Sequence, residues 1–210
     1  MRLTKAEALT FRSNLQAWQT PLAFESYLHV IRSDRLGDLL IDARAGFYRD
    51  AYVASRFSRA LHATEVRLLA DDRPDFEIRS SRETLAFEVT EADSDGRRRG
   101  DEIREALATV GPDISGIPSD SWAEPKQVFN MLAKAAKNKS SSKYNPTWGL
   151  IIYLNQWEFF AAENSTIEDV MLEATQVARS FFAEIWILWG KTLYLRWNNG
   201  SPCVTKVACP

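Results

Sequence analysis

Apolar residues recur at helical spacing through the first third of the chain, which predicts three helices. The first begins at a capping box formed by Thr4 and Glu7, the second at Pro21, and the third after Gly46. The apolar positions expected to face a core are Ala8, Phe11, Leu15 and Trp18, then Phe24, Leu28 and Ile31, then Phe47, Ala51, Ala54, Phe57 and Leu61.

The hydrophobic period then changes to that of strands. Three successive strands are predicted in the segments TEVRLLA, PDFEI and LAFEVTEA, with SSRE as the turn between the second and third. A charged helix (GRRRGDEIREALATV), a Gly- and Pro-rich loop and a helix (EPKQVFNMLAKAAKNK) follow. A buried strand (WGLIIYLN), a helix starting at Ser165 and a hairpin turning at Gly190 complete the pattern. This order predicts a mixed α/β domain with a small central sheet.

Asp75 and Glu88 stand near the same end of the hairpin that the second and third predicted strands form. Alternation places Glu88 and Thr90 on one face of their strand, and the hairpin can bring Asp75 beside Glu88. Two adjacent, partly buried carboxylates repel each other, so they need a shared proton or a cation. Hard oxygen ligands of this kind suit Mg²⁺ or Mn²⁺.

This segment resembles the core of the PD-(D/E)xK nuclease superfamily, the restriction-endonuclease-like fold. Pro74 and Asp75 match the start of the motif, Glu88 matches its acid, and Thr90 holds the position of its lysine. The predicted order of elements is similar to the αβββαβ core of that superfamily, with the likeness extending over roughly residues 46 to 190. The expected organisation is an N-terminal helical extension over residues 1–45 and a nuclease-like domain over residues 46–210.

The resemblance implies a Mg²⁺- or Mn²⁺-dependent endo- or exonuclease, with the cation held by Asp75, Glu88 and the backbone carbonyl of Val89. Thr90 cannot supply the positive charge of the motif lysine, which leaves catalytic activity open. Lys139 is the candidate replacement, because it lies seven and four positions after Leu132 and Ala135 on the apolar stripe of its helix. The alternative is that this helix frays before Lys139 and leaves it in a solvated loop.

Basic residues suggest where a nucleic-acid backbone would bind. Arg97, Arg98 and Arg99 follow the third strand, and Lys143 stands near Tyr144, a residue available for stacking on bases. The alternative for both groups is an ordinary solvated charged surface. Glu91 is expected on the strand face opposite Glu88, which argues against it as a third metal ligand.

Composition limits these interpretations only weakly. The chain has 210 residues, of which 45% are hydrophobic and 26% charged, and its net charge of −2 excludes a wholly basic surface. Cys203 and Cys209 lie in the terminal tail and form no disulfide framework. Without a signal peptide or a long apolar run, the protein is expected to be cytoplasmic and independent of membranes.

Three hypotheses remain at this stage. The first is an active nuclease, and the second is a catalytically inactive relative that binds nucleic acid or a partner protein. The third is a protein-interaction module in which Asp75 and Glu88 form surface ion pairs with arginines. The pattern does not distinguish DNA from RNA and does not give the oligomeric state.

Overall fold

The computed structural model describes residues 3–41, 45–70, 73–81, 83–93, 124–154 and 164–210. Its helices are α1 (Lys5–Leu15), α2 (Pro21–Ile41), α3 (Gly46–Ala60), α4 (Pro125–Lys139) and α5 (Asn164–Ala174). Its strands are β1 (Glu65–Leu68), β2 (Phe76–Arg79), β3 (Thr84–Ala92), β4 (Gly149–Leu154), β5 (Glu184–Trp189), β6 (Thr192–Asn198) and β7 (Ser201–Ala208). In the part of the chain described, no helix combines the length and the apolar character needed to cross a membrane.

The strands form one mixed sheet whose spatial order follows the sequence from β1 to β7. Strand β4 runs parallel to both of its neighbours, β3 and β5, and every other neighbouring pair is antiparallel. The mixed α/β class is therefore confirmed, but the expectation of a small sheet is wrong. The missed strand is β7, which the sequence suggested was a tail. Most of its residues are exposed, so it lacks the apolar alternation that indicates a half-buried strand.

Several helix boundaries agree with the capping signals. The capping box of Thr4 and Glu7 is formed at the start of α1, and α3 begins at Gly46. Helix α4 continues through Lys139, so the alternative in which it frays before this residue is wrong. The helix predicted to start at Ser165 begins at Asn164 and ends at Ala174, and a short 3-10 helix follows it (Gln176–Ala178).

Hydrophobic side chains cover both faces of the sheet. On one face, Phe76, Phe87 and Val89 pack against α1, α2 and α3. On the other face, Leu150 and Ile152 pack against α4 and α5. Because Glu88 pairs with Leu150 and Thr90 with Ile152 in the parallel register, both side chains belong to the face that α4 covers.

The helices of the proposed extension contribute to the same core as the sheet. Leu15, Phe24 and Ile31 are fully buried in one cluster with Phe57 and Val66. Within the described residues, the packing shows no gap at residue 45. The domain boundary expected there therefore stays a prediction.

Candidate functional site

The backbone of β3 holds Asp75 in place just before β2 begins. Its N–H donates to the carbonyl of Phe87 at 3.0 Å, and its own carbonyl accepts from the N–H of Leu69 at the same distance. The carboxylate is fixed as well, because Oδ2 accepts a hydrogen bond from the N–H of Val89 at 2.6 Å. The N–H and the carboxylate of Asp75 are therefore held by β3, whereas its carbonyl is held by Leu69.

Glu88 lies opposite Asp75 and is almost completely buried. The antiparallel register that pairs Phe76 with Phe87 puts Asp75 across from Glu88, and only 2% of Glu88 is exposed. Its Oε1 accepts a hydrogen bond from Lys139, whereas its Oε2 is buried with no hydrogen-bond partner in the structure as described. This burial and this partner do not fit the hypothesis of surface ion pairs with arginines.

Lys139 is the last residue of α4, and it reaches the site because the apolar stripe of the helix anchors the turns before it. Leu132 and Ala135 are buried against the sheet. The ammonium Nζ of Lys139 lies 2.5 Å from Glu88 Oε1, and 21% of the lysine side chain is exposed. The helix thus delivers a positive charge to the face on which Glu88 and Thr90 lie.

A third carboxylate, which the sequence analysis missed, belongs to Asp50 on α3. Its side chain is 17% exposed and forms an ion pair with Arg49 at 2.8 Å. The available signal was its position three residues after Phe47 and four before Ala54, which puts an acid beside the buried stripe of α3. That spacing could not show which strand the acid faces.

The protonation of Asp75 depends on its burial and on the neighbouring charges. Burial raises the pKa of Asp75 from 3.8 to about 7, and the negative charges of Asp50 and Glu88 add to this effect. The Val89 N–H and the Lys139 ammonium oppose it only in part. Burial also raises the pKa of Asp50, against the lowering effects of Arg49 and Lys139. A buried acid with a pKa near neutrality is typical of a functional site.

The other candidate residues contact different partners or lie outside the described residues. Glu91 lies on the opposite face of β3, with its carboxylate 3.8 Å from Arg49. Lys143 is exposed, and its ammonium lies 5.2 Å from the centre of the Tyr144 ring. Tyr144 is only 6% exposed, so the suggestion that it stacks on bases is wrong. Arg97, Arg98 and Arg99 lie outside the described residues, and their role stays a prediction.

The donor set of the site fits a divalent cation bound by few side chains. Within the described residues, no group of three or more histidine, cysteine or acidic side chains is arranged to hold a metal ion. Asp75 and Glu88 nevertheless bring two carboxylates together, and the unsatisfied Glu88 Oε2 is a buried oxygen that a cation would satisfy. The Val89 carbonyl would complete this set, with water molecules as the remaining ligands.

Comparison with known proteins found no match for this chain among models of protein families, curated proteins or solved structures. Any function of the chain is therefore inferred from the geometry of Asp75, Glu88 and Lys139.

Proposed function

We propose that this protein is a metal-dependent nuclease of the PD-(D/E)xK type that hydrolyses phosphodiester bonds in nucleic acid. The observation that carries the proposal is the contact of Lys139 with Glu88, at 2.5 Å between Nζ and Oε1. The motif of this superfamily needs a lysine beside the acid, and Thr90 leaves that position without a charge. Lys139 supplies the charge from α4 to the same acid.

Asp75 and Glu88, with the carbonyl of Val89, are the residues that would hold Mg²⁺ or Mn²⁺. A bound cation would lower the pKa of a coordinated water and neutralise charge on the phosphate. The protein has already placed the two carboxylates before any cation binds, since hydrogen bonds from β3 orient Asp75 and burial fixes Glu88. Such preorganisation reduces the reorganisation needed during the reaction.

Lys139 has two roles in this proposal. In the free protein its ammonium compensates the buried charge of Glu88. In this proposal the phosphate binds beside the carboxylates of Asp75 and Glu88. The Lys139 ammonium then donates a hydrogen bond to one of the phosphate oxygens. Arg49 is a positioning residue, because its ion pair with Asp50 holds that carboxylate next to Asp75.

A second candidate function is an inactive nuclease-type module that binds nucleic acid without cleaving it. The observation that favours it is the charge balance of the site without a cation. Lys139 pairs with Glu88, and Asp75 holds a proton for part of the time at neutral pH because its pKa is about 7. Such a site is stable with no metal bound.

The test is a Mn²⁺-dependent cleavage assay on single- and double-stranded DNA and RNA. Wild type, Glu88→Gln and Lys137→Met are compared, the last as a control for removing an exposed lysine from α4. We expect cleavage by wild type and Lys137→Met, and none by Glu88→Gln. If wild type binds these substrates but leaves all of them intact, the inactive module is the correct function.

A further inference from the structure

Three cationic side chains surround the ring of Tyr144 next to the candidate site. The Lys143 ammonium lies 5.2 Å, the Arg73 guanidinium 5.4 Å and the Lys139 ammonium 5.7 Å from the ring centre. They come from separate parts of the chain, since Arg73 precedes the Asp75 segment while Lys139 and Lys143 lie at the end of α4 and after it. The fold therefore gathers these charges, and their sequence positions alone do not.

The ring that holds them is itself fixed. Tyr144 is 6% exposed and packs against Phe182, with ring centres 5.3 Å apart. A fixed aromatic face attracts cations through its quadrupole and restricts where their long side chains go. Tyr144 thus acts as a positioning residue for positive charge and leaves no open face for a base to stack on.

Two of the three charges are available to a ligand. Arg73 and Lys143 are exposed, and neither forms an ion pair with a carboxylate in the described part of the chain. Among the described residues, Lys139 alone of the three forms an ion pair with a carboxylate, that of Glu88. Three like charges near one ring repel each other, so an anion that contacts them together is favoured.

We propose that Arg73, Lys139 and Lys143 form a subsite for a backbone phosphate of a polynucleotide, beside the carboxylates of Asp75 and Glu88. This inference rests on the proposed function and adds Arg73 and Tyr144 to the residues that serve it. A phosphodiester is the fitting anion because a polynucleotide bound at the carboxylates carries further backbone phosphates, each with the negative charge that Arg73 and Lys143 attract. Arg73 provides a planar fork of donors for two phosphate oxygens, and Lys143 provides a single charge.

The test is the binding of fluorescein-labelled 20-nucleotide single-stranded and double-stranded DNA, followed by anisotropy in EDTA at several salt concentrations. Wild type is compared with Arg73→Gln/Lys143→Gln and with a matched control, Lys126→Gln/Lys137→Gln, which removes two exposed charges from α4. We expect the first double variant to bind about 10-fold more weakly or worse and to lose about 1.5 from the slope of log affinity against log salt. The control should retain the wild-type affinity and slope.

Two results would overturn the subsite. One is wild-type affinity in Arg73→Gln/Lys143→Gln, and the other is an equal loss in the control variant, which would show a general charge effect. Because EDTA prevents metal-dependent cleavage, binding is measured whether or not the protein is a nuclease. Cleavage by wild type with unchanged binding in the double variant would remove the subsite and leave the proposed function standing.

A further pair of variants examines Tyr144. Tyr144→Phe keeps the aromatic face and should keep the salt slope of wild type. Tyr144→Leu removes the face, so Arg73 and Lys143 lose their common support and the slope should decrease, under conditions where circular dichroism shows both variants folded. Equal slopes in these two variants would show that the ring does not position the cations.

Discussion

Lys139 and Glu88 are 51 positions apart in the chain, yet their side chains meet at 2.5 Å. The lysine ends α4, and the glutamate lies in the middle of β3 with 2% of its surface exposed. A carboxylate buried this deeply needs a compensating charge, because its desolvation is otherwise too costly. The pair therefore links the packing of α4 on the sheet to the chemistry of the candidate site.

The first prediction concerns the stability that this ion pair provides. Lys139→Met leaves Glu88 buried with no cation, which should reduce the free energy of unfolding by about 3 kcal/mol. Glu88→Gln/Lys139→Met removes both charges and should recover most of this loss. Urea unfolding of the two variants and of Lys137→Met checks the prediction. A double variant as unstable as Lys139→Met would show that the loss does not come from an unpaired charge on Glu88.

The second prediction concerns the pH dependence of stability in the metal-free protein. Asp75 has an ordinary pKa of 3.8 and a folded pKa of about 7. Between these values the folded state binds more protons than the unfolded state, so Asp75 lowers stability as the pH rises. Asp75→Asn should therefore match wild type near pH 4 and exceed it by a few kcal/mol above pH 7.

Urea unfolding in EDTA from pH 4 to pH 8 measures this difference. Asparagine can still accept the Val89 hydrogen bond through its Oδ1, so the variant changes the charge more than the structure. Asp169→Asn, at an exposed aspartate on α5, controls for the general removal of one negative charge. A gain for Asp75→Asn that is the same at every pH would contradict the shifted pKa.

The third prediction concerns cation binding. A ligand that binds only the folded state raises its melting temperature with concentration. Mn²⁺ well above its dissociation constant should therefore raise the melting temperature of wild type by several degrees. Asp75→Asn and Glu88→Gln should each lose this shift. Glu65→Gln should retain it, because Glu65 lies on β1 and pairs with Arg79 of β2. Equal shifts in all four proteins would place Mn²⁺ elsewhere.

The fourth prediction concerns the packing that supports β3. Gly149 pairs with Phe87 in the register of β3 and β4, and a Cβ at Gly149 would lie 2.4 Å from two carbons of the Phe87 ring. That ring is held by Phe76 and Phe57, with centres 5.3 and 4.5 Å away. Gly149→Ala should thus lower the free energy of unfolding by about 1–3 kcal/mol.

The matched control for this substitution is Gly46→Ala, because a Cβ at Gly46 meets no atom within 4 Å. Comparing the unfolding free energies of the two variants separates steric conflict from the general effect of replacing glycine. A Gly149→Ala protein as stable as Gly46→Ala would mean that Phe87 moves aside easily.

Local signals in the sequence predicted much of the fold and part of the site. The capping box at Thr4 and the helical period of α4 depend on neighbouring residues, so the sequence indicates them directly. The placement of Lys139 beside Glu88 followed from the same period, extended by one turn from Ala135. Its role in catalysis stays a prediction.

What the sequence did not predict depends on contacts between distant segments. Asp50 matters because α3 packs where Asp75 lies, and no local pattern shows that meeting. Arg73 and Lys143 are distant in the chain, and both lie near the ring of Tyr144. Strand β7 was missed because an edge strand with exposed residues does not need apolar alternation.

The last prediction concerns Thr90, which occupies the position of the motif lysine. Thr90 and Glu88 lie on the same face of β3, two residues apart, and α4 brings Lys139 to that face. If catalysis needs a lysine ammonium beside Glu88 but not from a particular element, a lysine at position 90 should replace Lys139 of α4. Lys139→Met should reduce the cleavage rate about 100-fold or more, and Thr90→Lys/Lys139→Met should regain a large part of it.

The measurement is single-turnover cleavage with saturating Mn²⁺, because it isolates the chemical step from product release. The double variant also restores a cation near the buried Glu88, so unfolding measurements on the same proteins show how much of any recovery comes from stability. Lys137→Met serves as the control and should cleave like wild type. Unchanged cleavage by Lys139→Met would make the lysine structural, whereas cleavage gained only by Thr90→Lys in an otherwise inactive protein would identify a nuclease that lost its activity at position 90.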